Sequence, residues 1–261
     1  MNKATMRFPK RGDLIADSIK QWIVRDKMRP GDRLPSEKQL TEKYQVGKAS
    51  VREALKSLEV QGLIRTTTGP TGGSFIAEVT EARILNHLQS YFFFKDVTAT
   101  QVYEVRRSVE PTLARHIAEI ADAPLLRKLA DNVQASQGAV QTREDWQRQQ
   151  QIHIEFHDLL ADGATNPMLC IHCKFINRTI RHIVRSRESP QQRDIITANR
   201  IWHEKIYEAI AKRNLNAAES LMREHIVELD DAYKVSKPQL TNHLHLETQD
   251  PDRLSALPEL P

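Results

Sequence analysis

The chain has 261 residues, with 38 lysines and arginines against 34 aspartates and glutamates, and a net charge of +4. This length is typical of two domains. It contains no apolar run long enough to span a membrane, and its polar N-terminus does not resemble a signal peptide. Two cysteines are too few for a disulfide framework. We therefore expect a cytoplasmic protein with no membrane partner.

The positive charge is concentrated in the first part of the chain. Residues 1–75 contain 15 basic and 8 acidic side chains, whereas the remainder contains 23 basic and 26 acidic ones. Binding to phosphates releases counterions and requires basic side chains close to the nucleic acid. The asymmetry favours a DNA-binding region at the N-terminus.

Residues 34–64 predict two short helices joined by a sharp turn. Leu40 and Tyr44 share a face of the first helix, and the second repeats apolar residues at i, i+3, i+4 and i+7. That second set consists of Val51, Ala54, Leu55 and Leu58. The break at residues 45–47 leaves room only for a tight turn. Two helices that cross through such a turn can place the second in the DNA major groove, with Lys48, Ser50 and Arg52 exposed at its start.

Two short β-prone runs follow the second helix. Residues 63–68 and 74–76 flank a segment that contains Gly69, Gly72 and Gly73, which indicates a β-hairpin. The order of elements is then helix, helix, turn, helix and hairpin. This order predicts a winged helix-turn-helix.

The run PGDRLPSEKQLTEKYQVGKASVREALKSLEVQGLI, followed by GGSFI, resembles the GntR family of bacterial transcription regulators. The resemblance covers about the first third of the chain, and its pieces occur in the family's order. Carried over by position, it implies DNA contacts from Lys38, Lys48 and Arg52. It also implies that the wing around Gly72 and Gly73 approaches the minor groove or its phosphates. Outside this framework, Lys48 and Arg52 would be read as solvated helix charges.

The start of the recognition helix departs from the family pattern. The family usually has Ser or Thr followed by Arg, whereas this chain has Gly47 and Lys48. Lysine can reach guanine O6 or N7 but lacks the planar fork of arginine. We therefore expect an operator preference that differs from the family's usual one.

The remainder of the chain is predicted to be helical. Apolar patterns of helical period alternate with short breaks from Glu81 to about Ser236. The predicted helices span about 81–94, 98–121, 123–139, 142–162, 165–187, 191–212 and 214–236. We expect a winged helix-turn-helix domain at 1–76, a linker and connecting helix at 77–97 and a helical bundle at 98–236. The proline-rich, polar tail 237–261 is expected to be disordered.

Three segments of the predicted bundle resemble the FCD ligand-binding domain of the FadR subfamily of GntR regulators. They are YEVRRSVEPTLAR from residue 103, HIEFHDLLADGATNPML from residue 153 and HEKIYEAIAKRNLNAAESLMREHI from residue 203. The resemblance covers most of residues 98–230. It implies an all-helical effector domain, a homodimer and often a divalent metal ion within the bundle.

Four histidines form a candidate metal site. His153 and His157 stand at i, i+4 on one helical face, a spacing that can hold one metal ion with two imidazoles. His203 and His225 lie beside apolar positions of two later helices. A single inward histidine is more often a hydrogen-bonded core residue, but four on three helices at the family's ligand positions favour a metal site.

His153 occupies a position where the family typically has aspartate. Four nitrogen ligands favour zinc, nickel or copper over manganese or magnesium, which prefer oxygen. We predict a divalent ion, zinc in first place and nickel as the alternative, with a structural and effector-binding role. The alternative to this four-histidine site is one in which His153 turns away from the ion. The remaining three histidines then leave coordination positions open to water.

Arg106 is the candidate effector-binding residue. Val102, Val105, Val109 and Leu113 form a predicted apolar stripe, and Arg106 borders it. An arginine beside a core face needs an anionic partner. The resemblance implies that this partner is the carboxylate of the effector, to which a bidentate hydrogen bond is suited. The alternative is an internal ion pair with Glu110 at i+4.

Three functions can be weighed against these features. A metal-dependent hydrolase fused to a DNA-binding module would explain the histidines, but it lacks a nucleophile-base pair and a carboxylate-rich site. An architectural nucleoid protein would not need inward histidines and an inward arginine. A ligand-responsive transcription regulator uses every feature. We predict a repressor, not an enzyme, that binds a double-stranded DNA operator, a small organic acid and a second copy of itself, and that joins the nucleoid when bound to DNA.

Overall fold

The computed structural model describes residues 10–92, 95, 97–185 and 192–235. The predicted disordered tail, 237–261, lies outside the described residues. The chain divides into two compact units, residues 1–83 and residues 84–261. Each unit has its own buried apolar cluster. None of the helices in the described ranges is long and apolar enough to cross a membrane.

The first unit contains three helices and a hairpin. The helices are α1 (Arg11–Arg25), α2 (Glu37–Tyr44) and α3 (Lys48–Val60), and the strands are β1 (Ile64–Thr67) and β2 (Gly73–Ile76). The strands pair antiparallel, with Ile64 opposite Ile76 and Thr67 opposite Gly73. This order confirms the predicted winged helix-turn-helix.

Local chemistry sets the limits of α2 and α3. A capping box starts α2, because the backbone amide of Gln39 donates to Ser36 Oγ and the amide of Ser36 donates to Gln39 Oε1. The helix ends at Tyr44, and the next residue, Gln45, has a left-handed φ of +53° that turns the chain. Gly47 then precedes α3 without a side-chain cap. Both helices contribute fully buried residues to one apolar cluster, Leu40 from α2 and Val51 and Leu58 from α3.

All the regular secondary structure in the described residues of the second unit is helical. α4 (Glu81–Phe92) spans the division between the two units, and it is followed by α5 (Ala99–Ile120), α6 (Ala123–Ser136), α7 (Arg143–Asp162), α8 (Pro167–Arg185), α9 (Gln192–Ala211) and α10 (Leu215–Val235). Thr98, Asp122 and Thr142 cap the starts of α5, α6 and α7. The predicted mainly helical fold is confirmed.

Two predicted helix ends are off by two or three residues. The start of α8 is at Pro167 instead of 165, because Asn166 Oδ1 accepts from the amide of Met168 and Pro167 fits the first helical position. The end of α6 is at Ser136 instead of 139, just before Gly138, a residue that disfavours helix continuation.

Contacts between helices establish their directions. α10 runs antiparallel to α5, because Arg107 pairs with Asp230 at 3.1 Å and Arg115 pairs with Glu219 at 3.5 Å.

α7 and α9 run in the same direction as α5. His116, near the end of α5, lies 2.9 Å from the Thr165 hydroxyl just after α7. Arg213, just after α9, donates to the carbonyl of Glu119 at 2.8 Å. The N-terminal parts of α5, α7 and α9 therefore lie towards one end of the bundle.

Candidate metal centre and nucleic-acid interface

The four predicted histidines converge in the interior of the bundle. Their candidate ligand nitrogens all lie within 4.8 Å of one another, and all four residues are buried. α7 contributes His153 and His157, α9 contributes His203 and α10 contributes His225. The Nε2 atoms of His157 and His203 are 3.3 Å apart, and the rings of His153 and His203 stack at 4.6 Å. We call these four residues the histidine cluster.

The nitrogens of the histidine cluster fit a bound cation. Nδ1 of His153 and both ring nitrogens of His225 lack a hydrogen-bond partner in the described part of the chain. Such buried polar atoms are costly unless something binds them. Burial lowers the pKa of all four imidazoles, which keeps them neutral with lone pairs available. Four neutral nitrogens suit zinc or nickel.

A buried carboxylate orients one member of the cluster. Glu110 Oε2 lies 2.8 Å from Nδ1 of His157, and both side chains are 1% exposed. This contact favours the tautomer in which Nδ1 carries the proton and Nε2 faces His203. Burial would raise the pKa of Glu110, but the Arg106 guanidinium and His157 together outweigh it and hold that pKa at about 2. Glu110 is therefore a carboxylate at neutral pH.

Arg106 is buried beside this carboxylate. Its Nε donates to Glu110 Oε1 at 2.9 Å, so the internal ion pair considered from the sequence is present. The predicted apolar stripe was wrong at Val105, which is 48% exposed. The buried face of α5 instead contains Val102, Arg106 and Glu110, so the arginine is part of that face. Sequence reasoning missed Glu110 as the partner of His157, although its i+4 spacing from Arg106 marked it as a pairing residue.

The predicted DNA-contacting side chains of the helices lie in α2 and α3. Lys38 is exposed on α2, and Lys48 is exposed as the first residue of α3. Ser50, two residues further along α3, is half-buried, so the prediction that it is exposed was wrong. Arg52 is 67% exposed, and its Nε donates to Glu37 Oε2 at 2.9 Å. The recognition helix thus begins with exposed basic side chains, as a DNA-binding surface requires.

The two predicted wing glycines lie where β2 begins. A Cβ atom at Gly72 would be 2.6 Å from the carbonyl oxygen of Thr67, so a larger residue would force the hairpin to shift. Gly73 has a φ of +154°. Arg33 Nη2 donates to the carbonyl of Gly72 at 2.5 Å. The hairpin geometry therefore gives a structural reason for glycine at both positions, independent of any contact with DNA.

Two further arginines lie at the wing. The guanidinium carbons of Arg33 and Arg65 are 5.7 Å and 5.2 Å from the centre of the Phe75 ring. Both arginines are exposed. Sequence reasoning did not select them. The predicted hairpin could have suggested that Arg65 lies opposite Phe75, whereas only the fold brings Arg33 to this ring.

The first unit is a winged helix-turn-helix with a basic recognition helix, and the second is a separate helical domain. Together they define a class of protein, the DNA-binding transcription regulators with a ligand-binding domain. Residues 12–74 match the family of bacterial regulatory proteins named gntR, and residues 101–228 match the FCD domain. The chain belongs to the GntR family of transcription regulators that carry an FCD domain, which agrees with the predicted FadR-like subfamily.

Characterised relatives have similar lengths. The chain is 26% identical over 223 residues to the transcriptional regulator LutR of Bacillus subtilis, covering 80% of this chain and 94% of LutR. It is 24% identical over 228 residues to the transcriptional repressor NanR of an Enterobacter species, covering 83% of each. The solved structure of Streptococcus agalactiae GntR is 25% identical, with a TM-score of 0.60, and the match covers 85% of this chain and 99% of that one. The chain is thus a regulator and not an enzyme, and the hydrolase alternative is not favoured.

Proposed function

We propose that the protein is a repressor that binds an inverted-repeat operator as a homodimer. A small organic acid, bound near a divalent metal ion in the bundle, releases it from the DNA. The observation that carries this proposal is the convergence of four buried histidine nitrogens within 4.8 Å, next to a buried guanidinium. The similarity to the repressor NanR supports repression over activation.

The proposed metal ligands are His157, His203 and His225, with His153 as the fourth ligand or a close neighbour. Zinc is the first candidate and nickel the second, because all the donors are imidazole nitrogens. When bound, the ion supplies a Lewis-acidic positive charge that attracts a carboxylate. Glu110 holds His157 in the tautomer that presents Nε2, and so prepares the site before the ion arrives.

The charges favour an anionic effector. Glu110 already neutralises Arg106 through their ion pair. The other acidic groups nearby, Asp158 and Asp230, pair with Arg181 and Arg107. A divalent ion among four neutral imidazoles would therefore add two positive charges that these carboxylates do not balance. A bound organic acid would offset part of that charge, and Arg106 is the proposed second contact for its carboxylate.

For DNA, we propose contacts from Lys38, Lys48, Ser50 and Arg52 and from the wing at Gly72 and Gly73. One short recognition helix reads too few base pairs for specificity, so we propose a two-fold dimer on closely spaced half-sites. The proposed domains are 1–76 for DNA, 98–236 for effector and dimer, and 77–97 as their covalent connection. That connection includes α4 and would transmit the response.

The test begins with selection of the operator from genomic DNA by the purified chain. Fluorescence anisotropy then measures the affinity for that operator with and without zinc and a panel of small carboxylic acids. We expect at least one acid to weaken binding in the presence of zinc, and the operator must weaken the affinity for that acid by the same factor. The proposal fails if no acid changes the DNA affinity. Full affinity for a single asymmetric half-site would contradict the dimer.

A further inference from the structure

The recognition helix α3 ends in a set of hydrogen bonds that includes a side chain from α4. The last carbonyls of a helix lack partners within it and must accept from elsewhere. Backbone amides beyond the helix donate to the carbonyls of Ser57, Leu58 and Glu59. The carbonyl of Val60, the last residue of α3, accepts from Nη2 of Arg83 at 2.9 Å, and that nitrogen is also 3.2 Å from the carbonyl oxygen of Glu59. Arg83 thus completes the end of the recognition helix.

Gly62 leaves the space in which the guanidinium of Arg83 lies. This glycine has a φ of +79°, and a Cβ atom there would be 2.7 Å from Cζ of Arg83 and 2.8 Å from its Nε. The guanidinium therefore occupies the place where another residue would carry its side chain. Its positive charge lies at the end of α3 where the helix dipole is negative. Shape, hydrogen bonds and charge together hold Arg83 in this position.

The same end of α3 is bonded to the wing. The carboxylate of Glu59 accepts from the backbone amide of Thr66, in β1, at 2.8 Å. Glu59 therefore contacts the wing through its side chain and Arg83 through its carbonyl. We call Glu59, Val60, Gly62, Thr66 and Arg83 the Arg83 junction. It joins the recognition helix, the wing and the first turn of α4 at one place.

A cap that served stability alone would not need Arg83. Helix ends at a protein surface are commonly completed by the next few residues or by water. Here the donor stands 23 residues after Val60 in the sequence, beyond the whole hairpin. The bond therefore closes a loop that contains the wing, and it fixes the start of α4 as well as the end of α3.

α4 extends from this junction out of the first unit. The division between the two units falls directly after Arg83, and the helix continues to Phe92. An unbroken α-helix rises about 1.5 Å per residue along one axis, whereas a flexible linker has no fixed direction. The Arg83 junction therefore fixes the direction of the first turn of α4 relative to the recognition helix.

The spacing of the two half-sites is the property of the operator on which such a fixed direction acts. One turn of DNA has about 10–10.5 base pairs, so each inserted base pair moves a half-site by about 3.4 Å and rotates it by about 34–36°. A recognition helix on a flexible connection can follow that movement. A recognition helix that is fixed to α4 must strain the junction or lose contacts with the DNA.

We propose that Arg83 is a positioning residue that makes the dimer selective for one spacing of its half-sites. It acts through α3 and the wing, without a base contact of its own. This inference rests on the proposed dimer and its inverted-repeat operator, and it names the residue that determines which operator geometry is accepted.

The experiment measures discrimination between spacings. Fluorescence anisotropy with the full chain compares the operator selected from genomic DNA with versions that have two base pairs inserted or removed between the half-sites. We expect the wild type to bind the altered operators at least about tenfold more weakly. Arg83→Met keeps the apolar length of the side chain but removes its donors. In this variant the ratio of the two affinities should fall to about threefold or less, because the recognition helix is no longer held in one direction.

This ratio distinguishes positioning from a general loss of stability or charge. A partly unfolded variant, or one that lacks a phosphate contact, binds every operator more weakly by the same factor, so the ratio does not change. Arg25→Met, at an exposed arginine of α1, removes the same charge and should keep the wild-type ratio. Arg83→Lys retains a charge and a donor without the planar fork, and its ratio should lie between those of the wild type and Arg83→Met. If Arg83→Met does not fold, a wild-type ratio in Arg83→Lys overturns the proposal.

The outcomes separate this inference from the proposed function. If the wild type prefers one spacing and Arg83→Met prefers it equally, the dimer stands and Arg83 caps α3 without determining the spacing. If the wild type requires two half-sites but binds every spacing with equal affinity, the dimer also stands and the inference is overturned. Full affinity for a single asymmetric half-site would contradict the proposed dimer, and this inference would fail with it.

Discussion

The two units of the chain place their functional side chains in opposite environments. In the first unit the core is apolar, with Ile19, Leu40 and Leu58 fully buried, and the candidate DNA contacts are exposed. In the second unit the candidate site is itself part of the core, because Arg106, Glu110 and the histidine cluster are buried. Function and stability can vary separately in the first unit, whereas in the second a change to the site also changes the free energy of unfolding.

The largest expected effect is that of Arg106→Ala on stability. This change leaves the Glu110 carboxylate buried without its guanidinium partner, and we expect a loss of about 3–5 kcal/mol in the free energy of unfolding. Urea denaturation of the purified chain measures it. Arg115→Ala, which removes an exposed pair with Glu219, is the control and should cost less than about 1 kcal/mol. Equal stability of the Arg106 variant and the wild type would contradict a buried structural pair.

Arg106→Lys separates the structural role from the effector role. It keeps the positive charge near Glu110 but lacks the planar fork that suits a carboxylate. We expect a folded protein that binds the operator and responds poorly to the acid. A normal response would assign Arg106 to the internal ion pair alone.

Acidification should destabilise the metal-free bundle. Burial lowers the folded-state pKa of His153, His203 and His225 well below 6.5, so below that pH the unfolded chain binds protons that the folded chain does not. Stability from these groups is therefore present above pH 6.5 and is lost as pH falls. The loss between pH 6.5 and 5.5 is about 1 kcal/mol for each imidazole, or roughly 3 kcal/mol for the three.

Denaturation of the chelator-treated chain at pH 7.5, 6.5 and 5.5 measures this dependence. His225→Phe should reduce the slope, whereas His172→Gln, at an exposed position, should leave it nearly unchanged. The pKa of Glu110 is lowered to about 2, so its own contribution is lost only below about pH 4.5, outside this window. A flat profile would show that the histidines are not buried as neutral groups.

In the first unit, Arg52→Ala should weaken operator binding with little effect on stability. A base-edge contact would make the loss about 1–3 kcal/mol and dependent on the DNA sequence. Anisotropy titrations with the operator and with point-substituted operators measure it, while thermal melting tests that the fold is retained. A loss of equal size on all DNA would assign Arg52 to a phosphate instead.

The smallest effect is expected from Glu37→Gln. Glu37 accepts from Arg52 Nε across an exposed pair, and such pairs contribute about 0.2–1 kcal/mol to stability. We expect a stability change within this range and a smaller change in DNA affinity than Arg52→Ala causes. If Glu37→Gln lost more DNA affinity than Arg52→Ala, Glu37 would itself contact the DNA.

The sequence predicted the elements and the convergence of the histidines, for physical reasons. Periodic apolar residues and capping residues such as Ser36 determine helices locally, and His153 and His157 share a face by helical spacing alone. The inward placement of His203 and His225 followed from their apolar neighbours. Apolar periodicity, capping residues and helical spacing are properties of each helix by itself. They can therefore be read from the sequence without knowing how the helices pack.

The side-chain contacts between different helices could not be predicted in the same way. Arg106 could pair with Glu110 or with a ligand by spacing alone, and only packing against α7 brings Glu110 to His157. Gln150 stands in the polar run QRQQQ, where adjacent glutamines look equivalent in sequence. The phase of α7 buries Gln150 and exposes Gln151, and that phase is fixed by tertiary packing.

Titration of zinc into the chelator-treated chain at pH 7.5 tests the central claim, that the buried histidines form a metal centre. The wild type should bind one ion per chain, and His203→Asn should lose most of the affinity, because it removes a ligand and its Nε2 contact with His157. The control His172→Asn should bind as the wild type does. Absence of zinc binding, or equal binding by all three proteins, would contradict the account.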